Sequence, residues 1–249
     1  MRIQVVIPAR LASTRLPEKL LLRAGGKSVL QHTYEAAGRA TLPSGVIVAV
    51  DDARLQQEVE SFGGRCMMTG PDCQSGTDRL AEVAAQLLDV DVFVNVQGDE
   101  PEIDPAAIDL VADALLTNPW ADIATAARPI RDLATFENPN CVKVVIGQAG
   151  RAVYFSRAAV PFVREGLTPS MLAAEPPWFW HHLGLYAYRR EFLQWFASQP
   201  VGRLEQVEKL EQLRALEAGR QIVVARIEAA PAGIDIQADF DAFAARIDR

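Results

Sequence analysis

RIQVVIPARLASTRLPEKLL, residues Arg2–Leu21, runs an apolar stretch straight into a loop that carries three cations. Its first part, RIQVVIP, is rich in Val and Ile and lacks regular polar alternation, the signature of a strand buried on both faces. The same signature recurs in GVIVAVDD (Gly45–Asp52), RCMMT (Arg65–Thr69) and DVFVNVQGDEP (Asp91–Pro101). Between these runs lie stretches with helical spacing: SVLQHTYEAAGRA, ARLQQEVESFGG, GTDRLAEVAAQLL and DPAAIDLVADALLTN. Ser28 and Asp104 are available as N-caps, Pro105 suits a first helical position, and Gly63-Gly64 suits a helix stop. Strands alternating with helices predict an α/β fold: a mostly parallel, twisted sheet with helices on both faces. In such sheets ligands gather at the carboxyl ends of the strands. Both the cationic loop and QGDEP fall at such ends.

From about residue 128 to 188 the regularity weakens. CVKVVIG, AVYFSRAAVP and HHLGLYAYRR read as strands separated by long, Pro-rich connections, and PSMLAAEPPWFW has no clean period. This segment reads as a small β-rich lobe, a common place for substrate specificity or self-association. RLEQVEKLEQLRALEAG (Arg203–Gly219) then reads as one long helix, QIVVARI as a strand and ADFDAFAARI as a closing helix. With no internal repeat, low-complexity tract or linker, residues 1–249 read as a single domain carrying that lobe.

The composition is 49% apolar and 23% charged, with a formal net charge of −7. An acidic balance argues against a general nucleic-acid binder, whose footprint is usually basic. The three cysteines, Cys66, Cys73 and Cys141, form no CxxC pair, which suits a reducing compartment. No apolar run approaches the ~20 residues of a membrane span, and no signal-peptide pattern precedes the first strand. These features point to a cytoplasmic protein with no membrane or nucleic-acid partner.

Several chemistries are absent. No G-x-G-x-x-G follows the first strand, which disfavours a dinucleotide dehydrogenase. GGKS at Gly25–Ser28 resembles the tail of a P-loop, but Leu21 stands where its first glycine is required. There is no HExxH, no G-x-S-x-G, and only three histidines, His32, His181 and His182.

What remains is a cationic loop and two isolated acids. Arg10, Arg15 and Lys19 share their segment with a single acid, Glu18, and with the hydroxyls of Ser13 and Thr14. Guanidinium forks, hydroxyls and backbone amides together suit a polyphosphate; a solvated basic loop is the plain alternative. Asp99, just after a buried strand, is placed to bind Mg²⁺ with phosphate oxygens completing the shell, or simply to cap a turn. Asp235, between a strand and the last helix, carries the same two readings. The pair can share one metal only if the fold brings opposite ends of the chain together.

Taken in order, IPARLASTRLPEKLL, DCQSGTDRLAE, VNVQGDEP, NPNCVKVV, YFSRAAVPFVR, HHLGLYAYRREFL, LEQVEKLEQLRALEAG and GIDIQADFDA resemble the 3-deoxy-manno-octulosonate (Kdo) cytidylyltransferase family over essentially the whole chain. The related sialic-acid-activating enzymes have a different, Gly-rich first loop. The resemblance implies a nucleotidyltransferase fold, usually dimeric, that uses CTP and Mg²⁺ to make CMP-Kdo for lipopolysaccharide. It implies that Arg10, Arg15 and Lys19 embrace the triphosphate. The loop around Ala9 and Ser13, with Ser75, Gly76 and Thr77, frames the nucleotide. Gln97 lies between nucleotide and sugar, and Asp99 and Asp235 hold Mg²⁺. Catalysis then falls to Arg15, Lys19, Asp99 and Asp235. Arg157, Arg164, His182, Tyr186, Glu211 and Gln212 surround the acidic sugar, with Glu208 one helical turn away. Each of these sugar-side residues also has a plain reading as surface charge, core aromatic or solvated helix face.

Three departures from the family pattern stand out. Glu18 replaces the glycine usual before the loop lysine, which puts an acid beside the triphosphate region. DIQADF replaces Asp-Thr-Pro, and VGRLE replaces Pro-Ser-Pro-Leu-Glu. None removes a matched residue. They leave room for a modified sugar acid such as 8-amino-Kdo, and a catalytically silent nucleotide-binding protein is the remote alternative.

Overall fold

The computed structural model describes residues 1–73 and 75–247. The first half contains β1 (Ile3–Ala9), the two-residue strands β2 (Arg23–Ala24) and β3 (Lys27–Ser28), α1 (Val29–Ala37), β4 (Val46–Val50) and α2 (Ala53–Ser61). It continues with β5 (Cys66–Met68), α3 (Gly76–Gln86), β6 (Val92–Asn95) and α4 (Pro105–Thr117). The second half holds β7 (Ile123–Pro129), α5 (Leu133–Glu137), β8 (Lys143–Ile146), β9 (Ala152–Ser156), α6 (Pro169–Leu172) and β10 (Trp180–Arg189). It closes with α7 (Arg190–Ala197), α8 (Arg203–Glu208), α9 (Gln212–Glu217), β11 (Ile222–Arg226) and α10 (Gln237–Ile247).

Local chemistry sets the helix starts. Ser28 accepts from the Gln31 amide at 3.0 Å, and Asp104 caps α4 ahead of Pro105. Ser75 and Asp78 form a reciprocal capping box at α3. The central sheet has the order β11-β7-β10-β6-β1-β4-β5. β1 runs parallel to both β4 and β6, β4 to β5, and β7 to β11, whereas β10 lies antiparallel between β6 and β7. β1 is buried on both faces, which explains its near-continuous apolar run. Val5 and Ile7 belong to the core under α1 and α4, and Val6 to the core under α3 and α7. Burial of each such side chain contributes about 1.5–3 kcal/mol.

Two differences from the sequence pattern matter for the site. The strands expected in the lobe do not make a sheet of their own. β8 and β9 form a hairpin that joins the nine-stranded sheet through β10, where His181 pairs with Lys143. β10 is long enough to leave that hairpin, pass an irregularity between Leu183 and Tyr186, and fill the gap between β6 and β7. A satellite core of Ile130, Phe136, Leu172 and Phe179 lies under the connections.

The other difference is the stretch 203–219, which is two short helices rather than one long one. Lys209 adopts φ 55° and ψ 46°, the left-handed region, and breaks the helix between α8 and α9.

Candidate active site

β1 and β6 are parallel neighbours, so their carboxyl ends deliver the cationic loop and Gln97–Asp99 side by side. The segment after β11 arrives from the other end of the chain and is pinned there, the Ile234 amide donating to the Asp99 carbonyl at 2.8 Å. The two acids thereby meet. The Lys19 ammonium contacts Asp99, lies 3.3 Å from Asp235 Oδ1, and donates to the Ile234 carbonyl at 3.0 Å. Arg15 Nη2 donates to the same Asp235 oxygen at 2.8 Å. The Lys19–Asp99 contact is largely sheltered, with side chains 16% and 23% exposed, so it is less screened than the Arg15–Asp235 pair at the surface.

Arg10 is the third cation of the loop, and its Nη2 is buried with no partner among the described residues. A buried, unpaired guanidinium nitrogen is costly on its own and favours an incoming anion. Glu18 does not intrude on this anion site. It takes a left-handed conformation, φ 51°, and pairs with Arg54 at 2.8 Å. Glu100, which the sequence reading did not single out, is pushed up to about 7 by burial and by neighbouring Asp99.

Two cavities of about 420 Å³ each open at these strand ends. The first is lined by the cationic loop, including Arg10, Ser13, Arg15 and Lys19, with Ser75 and Asp99. The second is lined by Thr77, His182, Tyr186 and Gln212 among others. Gly76, Gln97 and Glu211 line both. Ala9 is fully buried as the last residue of β1, where it supports the loop. Gln74 of the QSGT motif lies outside the described residues.

The second cavity combines apolar walls with hydrogen-bonding groups and two charged residues, Lys209 and Glu211. His182 is buried, with Nε2 3.0 Å from the Thr125 hydroxyl. That hydroxyl has one proton and faces the carbonyls of Leu183 and Leu185 at 3.2 and 2.9 Å. The imidazole therefore donates from Nε2, leaving Nδ1 as an acceptor. Burial pushes the His182 pKa down to about 3, and burial with Arg128 and Lys143 pushes His181 down to about 4, so both rings are neutral at pH 7. Burial holds the Tyr186 phenol well above its usual range, with Tyr188 and Glu211 reinforcing the shift. Glu211 is raised by burial, while hydrogen bonds from Thr77 and Ser75 oppose that shift. Gln212 is buried with its Nε2 unpartnered.

Arg157 and Arg164 are not brought into either cavity. The Arg157 guanidinium donates to the carbonyls of Glu208 and Pro139 at 2.8 and 3.0 Å. Arg164 is exposed on the loop between β9 and α6. Glu208 turns away from the cavity to the Ser156 hydroxyl at 2.6 Å. Conversely, Asn95, Asn140, His181 and Tyr188 line the second cavity without having been singled out. Asn95 and Asn140 lie inside quoted motifs and His181 adjoins His182, but strand register decides which face Asn95, His181 and Tyr188 occupy, and Asn140 sits in the turn before β8.

Asp99 and Asp235, converging on one ammonium, are a donor set that fits Mg²⁺ once phosphate oxygens complete the shell. No cluster of three or more metal-ligating side chains occurs among the described residues, so this site depends on oxygens supplied by a ligand.

Comparison with known proteins bears on the same site. The family model for cytidylyltransferases matches residues 4–222. A Rhodopirellula baltica protein named 3-deoxy-manno-octulosonate cytidylyltransferase is 64% identical over 248 residues, covering 100% of this chain and 99% of that one. The chain belongs to the 3-deoxy-manno-octulosonate cytidylyltransferase family. A family member from Syntrophobacter fumaroxidans is 47% identical, covering 97% of this chain and 95% of its own. The solved structure of a CMP:2-keto-3-deoxy-manno-octonic acid synthetase complexed with CTP matches with a TM-score of 0.91 at 39% identity, covering 99% of this chain and 98% of that one. A 4-diphosphocytidyl-2C-methyl-D-erythritol synthase, at 14% identity and a TM-score of 0.63, shares the fold alone. The cytidylyltransferase fold is thus the mainly parallel, helix-flanked sheet that the apolar pattern predicted.

Proposed function

We propose that this protein transfers CMP from CTP to the anomeric hydroxyl of Kdo, releasing pyrophosphate. The observation that carries the reading is the pair of cavities meeting at Gln97 and Glu211, one lined by the cationic loop and the other by hydrogen-bonding and apolar side chains with Lys209 among them. The first suits a triphosphate, and the second suits a polyhydroxylated sugar acid.

Arg10, Arg15 and Lys19 draw the triphosphate into the first cavity and neutralise charge on the departing pyrophosphate. Ser13, Ser75, Gly76 and Thr77, with the backbone after Ala9, border the nucleotide. Gln97, at the junction, orients the attacking hydroxyl towards the α-phosphorus for in-line displacement. In the second cavity His182 Nδ1 accepts a sugar hydroxyl, Tyr186 donates, and Glu211 and Gln212 fix further hydroxyls. Asp99 and Asp235 would hold Mg²⁺, which polarises the α-phosphate and lowers the pKa of the attacking hydroxyl when bound. Arg157 and Arg164 meet the sugar carboxylate only if the segment that carries them moves, because Arg157 is committed to two carbonyls.

A homodimer is part of this proposal. Phe162 and Trp178, 85% and 59% exposed on the segment between β9 and β10, are large apolar side chains that a second copy would cover. Cytoplasmic location and a role in lipopolysaccharide synthesis follow from the same reading. The three unpaired cysteines suit a reducing compartment, and no helix among the described residues is long and apolar enough to cross a membrane.

The test is pyrophosphate release with Mg²⁺ and each combination of nucleoside triphosphate and sugar. Release requiring both CTP and Kdo supports the reading. Preference for 8-amino-Kdo would keep the nucleotide half and replace the sugar half. No release with any sugar would overturn the enzymatic reading.

A further inference from the structure

One wall of the sugar cavity is built at a break in the chain. Lys209 holds a left-handed conformation that lysine adopts only under constraint, φ 55° and ψ 46°. The break places Lys209, Leu210, Glu211 and Gln212 along the cavity. Contacts on both sides hold it. From α9, Arg214 sends a two-pronged fork to Glu205 in α8, Nε to Oε2 and Nη2 to Oε1, each at 2.7 Å. Both residues are buried. The guanidinium also lies over the Phe196 ring, 4.0 Å from its centre, and Phe196 is itself cavity wall. Its remaining nitrogen reaches the carbonyls of Phe196 and Gln199 at 3.5 and 3.4 Å. On the other side Glu208 accepts from the Ser156 hydroxyl and the Arg157 amide at 2.6 and 2.9 Å.

A buried ion pair is weak support for stability as such, because desolvation offsets much of the Coulomb gain. What a bidentate fork does supply is a fixed angle between the elements that carry its two halves. Here those elements are the two helices on either side of the break, and neither Arg214 nor Glu205 lines the sugar cavity. We propose that Arg214 and Glu205 are positioning residues for the sugar half of the site: their fork sets the α8–α9 kink and through it places Glu211 and Gln212. The inference rests on the cytidylyltransferase reading above and adds how the sugar half-site is held in register.

The test is steady-state kinetics of Arg214→Lys, which keeps the charge and loses the fork. The expected result is a KM for Kdo raised about tenfold, a clearly smaller rise in the KM for CTP, whose cavity Glu211 also lines, and a native circular-dichroism spectrum. If Arg214 acts through Glu211 and Gln212, adding Arg214→Lys to the pair Glu211→Gln and Gln212→Ala makes that pair no worse. Both KM values rising equally, neither moving, or the effect of Arg214→Lys multiplying that of the Glu211 and Gln212 substitutions would each overturn the inference. Should Arg214→Lys fail to fold, Glu205→Asp shortens the same fork by one methylene and is read in the same way. Wild-type protein that releases no pyrophosphate would overturn the functional reading and the inference together, a result distinct from the others.

Discussion

The ammonium of Lys19 lies 3.3 Å from Oδ1 of Asp235, a residue that enters the site from the opposite end of the chain. The same ammonium contacts Asp99. Lys19 therefore occupies the point at which the two carboxylates converge, where it would compete with a divalent cation for the same oxygens. On the proposed function, a triphosphate that draws Lys19 away would leave the acids free for Mg²⁺. For Lys19→Met, CTP affinity measured by calorimetry is expected to fall by about tenfold or more. Mn²⁺ affinity without nucleotide, followed by electron paramagnetic resonance, is expected to rise. Unchanged Mn²⁺ binding would show that the ammonium does not hold the metal position.

Asp99→Asn keeps the shape of the side chain but removes its charge. Turnover is expected to fall by about a thousandfold, while the circular-dichroism spectrum stays native. An Asp99→Asn protein with Mg²⁺-dependent turnover near wild type would defeat the metal assignment.

His181 and His182 set a pH dependence of stability. Their folded pKa values, about 4 and about 3, lie below the ordinary 6.5. As pH falls through 6.5 the unfolded chain takes up protons that the folded one refuses. Stability is thus fully present above about pH 6.5 and is lost progressively down towards pH 4 and 3, by about 2 kcal/mol at pH 5 for the buried His182 and by less for the half-buried His181, which solvent screens. Urea denaturation of His182→Asn at pH 7.5 and pH 5 is expected to show a smaller loss between the two than wild type. An identical loss would mean that His182 is not held neutral.

Lys209 is strained where a glycine would not be. Lys209→Gly is expected to stabilise the protein by about 1 kcal/mol, raising Tm by about 2–4 °C in calorimetry. A lower Tm would show that the lysine side chain contributes more than the backbone conformation costs.

The sequence by itself determined a good deal. The apolar β-branched runs specified the parallel strands because a strand covered on both faces has no position that tolerates regular polar alternation. Ser28 and Asp104 marked helix starts that the structure keeps, because capping is decided by neighbours two or three residues away. The cationic loop and QGDEP fell at strand ends for an equally local reason. Only the tertiary structure decided the rest. Asp99 and Asp235 meet because β1 and β6 are neighbours and the segment after β11 folds back on them, an adjacency that linear spacing cannot encode. The helical period across residues 203–219 concealed the break at Lys209. An apolar stripe of two short helices differs little from that of one long helix, and the Glu205–Arg214 fork that secures the kink acts through space. Arg157 shows the reverse case: the family resemblance implied a sugar contact, whereas in the structure its guanidinium donates to the carbonyls of Glu208 and Pro139. Local chemistry is written in neighbouring residues. Which charge faces which partner is settled only when the sheet order and the helix angles have been fixed.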